Sequence, residues 1–225
     1  MPDLSRRATE PELLDEGVAE HEAIASLADL RFVNRWLGGR RSLLRATLPY
    51  LGGSQPSLLD VGCGSADLPA LLLQAVGPRL LVVGLDRKLM HLRQAPADIR
   101  RVVADARRLP FPPRSFDVVT ASLFLHHFDG AEVAAVLRTL YGLARRALVV
   151  NDLRRARVPY AFGRATFGWL FRSRVSVEDG LLSIRRAFTP DELRAAFREA
   201  SIPQVAIRRR FPYRLVAVAE RGADA

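Results

Sequence analysis

Residues 59–67, Leu59-Asp-Val-Gly-Cys-Gly-Ser-Ala-Asp67, set two glycines between two carboxylates at the point where an apolar stretch gives way to a helical one. Glycines in such a turn admit positive backbone angles and let the main chain approach a ligand with no side chain between. Asp86 closes the next apolar stretch, roughly 20 residues on, where a nucleotide-binding fold places the carboxylate that accepts from ribose hydroxyls. Asp105 closes a third such stretch. Either acid alone reads equally well as a turn residue; with the glycine loop they describe a ligand site.

The charge around the loop narrows the ligand. Dinucleotide sites usually show Gly-x-Gly-x-x-Gly and face a pyrophosphate from a helix N-terminus. Here Asp60 precedes the glycines and Asp67 follows them. Two carboxylates would repel a pyrophosphate and suit a cationic amino group or a sulfonium. This is a charge argument for S-adenosylmethionine over NAD. Cys63, at a helix start, could carry a lowered thiol pKa, yet it reads better as a small filler beside the ligand. His126 and His127 follow the fourth apolar stretch, where an acceptor would sit. A histidine there could act as a general base, and His127 is the weakly preferred one; the bland alternative is a ring satisfying a loop carbonyl. Asn151 and Asp152 end the fifth stretch and either orient an acceptor or cap the next segment. With one cysteine, the histidines at 21, 91, 126 and 127 show no metal-ligand spacing, so no metal is expected. No Gly-x-Ser-x-Gly elbow is present.

The elements that must hold these residues are read from periodicity. Short strands are expected at 57–62, 80–86, 99–104, 116–122 and 146–152, apolar throughout, with helices at 68–76, 90–95 and 131–144 between them. Apolar strands alternating with helices mean a parallel sheet covered on both faces. Helices are expected at 19–37 and from 41 to 51. Near the end, Thr189-Pro-Asp-Glu192 is a capping box that starts a helix, and strands at 205–210 and 214–219 form an edge hairpin around 211–213. Residues 153–188 show no strand pattern and mix aromatics with arginines. They lie on the carboxyl side of the sheet, where open α/β folds bind ligands.

These segments resemble the class I (Rossmann-like) S-adenosylmethionine-dependent methyltransferases. Residues 59–64 look like the first motif of that class, and Val83-Gly-Leu-Asp86 resembles the second. Residues 104–119 and 122–128 are similar to the ubiquinone/menaquinone methyltransferase-like group. The resemblance implies a doubly wound seven-strand sheet, mostly parallel, with an antiparallel C-terminal hairpin strand and helices on both faces. It implies S-adenosylmethionine as cofactor, with Gly62, Cys63 and Gly64 against its methionine part. Asp60 would hold the loop or meet the amino group, Asp86 would bind the ribose and Arg87 would lie beside the adenine. Asp105 and the Ala106 amide would meet the adenine edge, and Ser122 completes the cofactor set. His127, His126 and Asp152 are the candidate catalytic residues, for in-line displacement of the methyl group by the acceptor. Ala66 departs from the family pattern, where glycine is more usual; a methyl is tolerable there if the backbone angles are helical.

Composition sets the outer bounds. The chain has 225 residues, 49% of them hydrophobic, which is enough for one sizeable domain. No apolar run reaches the roughly 18–20 residues of a membrane-spanning helix. The polar start shows no secretory pattern, and the single cysteine cannot form an internal disulfide; a cytoplasmic protein is the simplest reading. The net charge of +10 comes almost wholly from arginine, Lys88 being the only lysine. The arginines are scattered, which favours a compositional origin over a nucleic-acid footprint. The Asn-Pro-Pro-Tyr type of tetrad that marks base-methylating enzymes is absent after the fourth strand, where Ala121-Ser-Leu-Phe stands. The expected organisation is a mobile segment 1–18 and one domain, 19–225: helical cap 19–56, cofactor-binding core 57–152, helical insert or lid 153–188, and a C-terminal helix and hairpin, 189–225. The expected acceptor is a small, fairly apolar molecule (phenolic, polyketide, quinone-like or lipid) methylated at oxygen or carbon, as in secondary metabolism. Peripheral contact with a membrane or lipid substrate stays open, as does oligomeric state. The rival readings are a cofactor-binding regulator without turnover and, more weakly, an RNA methyltransferase.

Overall fold

The computed structural model describes residues 2–222. Its elements run α1 (Leu13–Glu16), α2 (Glu20–Trp36), α3 (Gly39–Thr47), β1 (Ser57–Val61), α4 (Asp67–Val76), β2 (Leu81–Asp86), α5 (Leu89–Arg93), β3 (Arg100–Val103), β4 (Phe116–Ser122), α6 (Ala131–Leu143) and β5 (Ala144–Leu153), then α7 (Arg157–Leu170), α8 (Arg174–Arg186), α9 (Pro190–Glu199), β6 (Ala206–Arg210) and β7 (Arg214–Glu220). Single 3-10 turns follow α3, at Leu48–Tyr50, and β4, at Leu125–His127. The strands form one seven-stranded sheet in the order β3-β2-β1-β4-β5-β7-β6, and β7 alone runs against the rest.

The sheet is buried because its strands are apolar on both faces. In β1, Leu58 and Leu59 point to opposite sides, as the two-residue strand period requires. Leu58 joins Val82, Val118 and Val149 against the helix residues Leu43, Leu68 and Leu72. Leu59 joins Val83, Val119 and Leu148 against the α6 and α9 side chains Leu137, Leu140 and Phe197. The β6 edge carries Arg208, Arg209 and Arg210 in a largely exposed strand, and β3 begins with Arg100 and Arg101; charge at an edge discourages strand addition. The capping box at Thr189 forms as the sequence implies, with the Thr189 hydroxyl accepting from the Glu192 amide and Glu192 accepting from the Thr189 amide.

Boundaries shift modestly. The helix expected from 41 begins at Gly39 and gives way to the 3-10 turn at Leu48, where Pro49 follows. The third strand is confined to Arg100–Val103. The start of the chain makes contacts that its local sequence does not suggest. Residues 2–18, expected to be mobile, make hydrogen bonds across the molecule; Met1 of that segment, and residues 223–225 of the C-terminal one, lie outside the described residues. The Ala8 amide donates to the Arg185 carbonyl at 3.2 Å. Arg7 donates to the carbonyls of His126, Phe128 and Arg186 and lies 4.0 Å over the Phe188 ring. Asp179 of α8 accepts from the amides of Leu13 and Leu14. All these partners are more than 100 residues away, so local polarity held no sign of them.

Candidate functional site

The loop after β1 hangs from the end of β2. The amides of Gly62 and Cys63 both donate to the Leu85 carbonyl, at 2.8 and 3.0 Å, and the Gly64 amide donates to Asp86 Oδ2 at 3.0 Å. Gly62 has φ +68°, and a Cβ there would stand 2.1 Å from the Phe124 ring. The glycine is therefore needed for conformation and for space together. Ala66 is the departure. Its angles, φ 55° and ψ 31°, are left-handed rather than the right-handed helical ones that would make its methyl harmless, and the conformation costs about 1–2 kcal/mol. Cys63 is buried with its Sγ against Gly84. Burial, reinforced by Asp60 and Asp86, pushes its thiol well above the ordinary value, so the helix start does not activate it.

Three carboxylates surround the loop. Asp60 is buried on β1 and accepts from Thr120 Oγ1 at 2.5 Å. Burial, with Asp67 and Asp86 nearby and only the Thr120 bond opposing, pushes it up to about 7. Asp67, first residue of α4, accepts from Asn34 Nδ2 at 3.3 Å, and its Oδ2 is buried with no hydrogen-bond donor. A carboxylate oxygen with no hydrogen-bond donor, paired only with Arg40 at 3.9 Å, beside a second carboxylate raised by burial, is a seat for a small cation. The amino group or sulfonium of the cofactor that the resemblance implies fits this pair. Asp86 differs: burial raises it, but His91 at 3.3 Å and the amides of Lys88 and Gly64 outweigh that and hold it below the usual range. It braces the loop through the Gly64 amide.

The side after β4 is built by the turn Leu125–His127. His126 is 2% exposed and its Nδ1 lies 2.6 Å from Asp152 Oδ1. Its Nε2 lies 3.3 Å from Glu12 Oε1. Burial alone would lower its pKa, but the two carboxylates win and hold it up to about 10. His127 stacks on it at 4.4 Å and is less enclosed. Its Nδ1 is 2.6 Å from Asp15 Oδ2 and its Nε2 is 3.9 Å from Glu12 Oε2. Glu12, His126 and His127 each bring a ligand-type atom within 4.8 Å of one another, an approach that these ion pairs account for.

A cavity of about 540 Å³ joins the two sides. Asp60, Gly62, Cys63, Gly64, Asp67, Ser122, His126 and His127 line it, together with Val33 and Leu37 near the end of α2 and Phe162, Phe167 and Phe171 of the 153–188 segment. Of the residues expected in the site, Asp86 reaches the cavity only through Gly64, and Asp152 only through His126. Arg87, Asp105 and Ala106 are not in its lining. Arg87 donates instead to the Asp15 carbonyl and carboxylate, and Asp105 accepts from the Arg107 amide and pairs with its side chain. Asn151 is buried, with its Nδ2 3.4 Å from Ser122 Oγ. Glu12, Asp15, Asn34 and Arg214 were not foreseen. Arg214, fully buried, donates to Asn34 Oδ1 and the Leu37 carbonyl; burial pushes it down to about 10 against the pull of Asp152 and Asp67. No spacing in the chain marks these four, because each acts on a partner far away in sequence.

The chain's residues 58–147 match the family model described as a methyltransferase domain. The demethylmenaquinone methyltransferase of Anoxybacillus flavithermus is 29% identical over 170 residues, covering 67% of this chain and 71% of that protein. The Listeria monocytogenes serotype 4a protein of the same name is 34% identical over 93 residues, 38% of each chain. In fold, the chain is similar to the plantazolicin methyltransferase BpumL, solved with S-adenosylhomocysteine (TM-score 0.65, 13% identity, 93% of this chain and 98% of that one). It is also similar to human N-acetylserotonin methyltransferase, solved with S-adenosylmethionine (TM-score 0.65, 16% identity, 91% of this chain and 57% of that one).

Proposed function

We propose, for a chain that is a class I S-adenosylmethionine-dependent methyltransferase, that the acceptor is a small apolar molecule of phenolic, polyketide, quinone-like or lipid type, methylated at oxygen or carbon. The observation that carries this reading is the single cavity lined at once by the glycine loop and its acids, by His127, and by Phe162, Phe167 and Phe171. A largely apolar wall with a few convergent polar groups is what a small apolar ligand requires. The names of the demethylmenaquinone methyltransferase relatives favour a quinone-like acceptor within that range.

When bound, S-adenosylmethionine supplies an electrophilic methyl group on its sulfonium. Asp67 and Asp60 hold the cationic methionine end, Gly62, Cys63, Gly64 and Ser122 shape its bed, and Asp86 accepts from the ribose. Arg87, Asp105 and Ala106 serve the adenine end, which requires Arg87 to leave Asp15. His127 Nε2 takes the acceptor's proton, while Asp15 orients the ring through Nδ1. His126, with both nitrogens engaged, positions His127 by stacking rather than reaching the acceptor, and Asp152 anchors His126. The walls exclude water, and holding two reactants aligned contributes several kcal/mol. Residues 153–188 act as a lid on this cavity, and the cytoplasm is the proposed compartment; no helix among the described residues is long and apolar enough to cross a membrane.

Transfer of a labelled methyl group to a panel of phenols, quinols, polyketide mimics, polar amines and RNA tests the assignment. Apolar hydroxylated or enolic acceptors should be methylated, and His127→Ala should lower kcat far more than it weakens S-adenosylhomocysteine binding. A preference for polar amines or RNA would overturn it.

A further inference from the structure

Helix α7 turns an apolar stripe to the outside. Val158, Phe162, Ala165 and Trp169 recur at i, i+4, i+7 and i+11, one face of a helix, and all four are exposed. The helix's other side supplies the buried contacts, through Tyr160, Gly163 and Phe167. Val158 and Phe162 also line the cavity, and so do two residues from elsewhere in the chain, Trp36 at the end of α2 and Phe211 in the β6–β7 turn. Trp36 is 63% exposed, Trp169 74% and Phe211 91%. Large side chains left bare around the rim of an apolar cavity mark an interaction surface.

Charge says what the surface meets. Residues 153–177 contain six arginines and no acidic residue, and all but Arg155, buried against Glu192, reach the surface at least in part. Arg157 and Arg164 stand exposed on one flank of the stripe, Arg172 follows the helix exposed, and Arg35 lies 5.2 Å over the Trp36 ring. Aromatics flanked by arginine, on a helix lying flat at the surface, match the boundary of an anionic lipid leaflet, where basic groups meet headgroups and rings enter the acyl edge.

We propose that this face docks on an anionic phospholipid bilayer, seating the cavity mouth against the lipid so that an apolar acceptor enters without crossing water. The acceptor's route rests on the function proposed above; the docking itself does not.

The chain's only tryptophans are Trp36 and Trp169, so tryptophan fluorescence, excited beyond the tyrosine band, reports this face alone. With vesicles of mixed phosphatidylglycerol and phosphatidylcholine, the full chain should co-sediment. Its emission should move to the blue and be quenched by brominated acyl chains. Vesicles of phosphatidylcholine alone should bind weakly. Trp169→Glu combined with Arg164→Glu should weaken vesicle binding about tenfold or more, since one basic group near an anionic surface counts for about a fivefold factor and the two substitutions change the local charge by about three units. S-adenosylhomocysteine affinity should not change. Absence of vesicle binding in a chain that binds S-adenosylhomocysteine sinks the docking proposal and leaves the acceptor reading intact. Equal binding to neutral and anionic vesicles, indifferent to the double substitution, also sinks it. So does blue emission without lipid that turns red on dilution, because a second copy of the chain would then cover the face. Docking intact alongside transfer only to polar acceptors would instead sink the acceptor reading.

Discussion

Single residues carry the clearest pH signatures. Asp60 sits at about 7 in the empty protein because it is buried beside other acids. A cation placed against it would lower that value, so binding is coupled to loss of a proton below neutrality. S-adenosylhomocysteine affinity should therefore rise as pH climbs from 6 toward 7 and level off above, while Asp60→Asn should be weaker and flat across the same range. Calorimetry at several pH values checks this, and a wild-type affinity independent of pH would remove Asp60 from the cation seat. His126 has the opposite sign. Its folded value, about 10, exceeds the unfolded one, so its contribution to stability is complete below about pH 6.5 and is lost as pH rises through the folded value. His126→Gln leaves Asp152 and Glu12 facing each other without a cation and should cost about 3–5 kcal/mol at pH 7 by denaturant unfolding. The difference from wild type should narrow toward pH 10 and above.

At the scale of elements, two segments far apart in sequence line the cavity. Helices α7 and α8 pack through Phe167 on Gly163 and Gly180, where an added Cβ would clash at 2.7 and 3.0 Å. The N-terminal segment crosses them by way of Asp179 and continues to His126 and His127 through Glu12 and Asp15. Apart from the buried Glu12–His126 pair, its ties are mostly hydrogen bonds and partly exposed ion pairs, with few apolar contacts, and segments held that way open more readily than a packed core. Hydrogen exchange should show residues 10–16 and α7 exchanging fast in the empty protein and slowing with cofactor and acceptor together, while β1 stays protected throughout. Protection of α7 equal to that of β1 in the empty protein would make it a fixed wall and end the lid reading.

Across the whole molecule, the basic balance divides into two populations. Arg155, Arg186 and Arg214 are buried and hold distant segments together: Arg155 with Glu192 and the Ala187 carbonyl, Arg186 with Asp129 and the His126 and His127 carbonyls, Arg214 with α2. Arg7, largely enclosed, does the same for the N-terminal segment, and most of the others lie at the surface, at sheet edges and around the cavity rim. Arg214→Met should cost about 1.5–3 kcal/mol, the range for losing hydrogen bonds from a charged group, whereas Arg208→Ala on the exposed edge should stay within about 0.5 kcal/mol. Chemical denaturation of both variants measures the contrast, and equal effects would show that burial does not separate them.

Much of this molecule is written locally. Strand periods, the glycines at 62 and 64, the acids that end strands and the Thr189 cap all act within a few residues, so the chain alone determined the sheet, its order of elements, the loop and the class of cofactor. Local pattern could not say that Ala66 is left-handed, because only the tertiary path of the loop sets that angle. Nor could it say that His126 is locked while His127 faces the cavity, since both follow the same strand and differ only in what arrives from elsewhere. Glu12 and Asp15 reach them across more than 100 residues, and Arg87 is drawn to Asp15 rather than left toward an adenine. Long-range ion pairs of this kind leave no periodic trace, because either partner alone looks like any exposed charge until folding removes its water and makes the other necessary. The outward face of α7 belongs with them: its apolar stripe reads as core until the fold shows that the opposite side is the one buried.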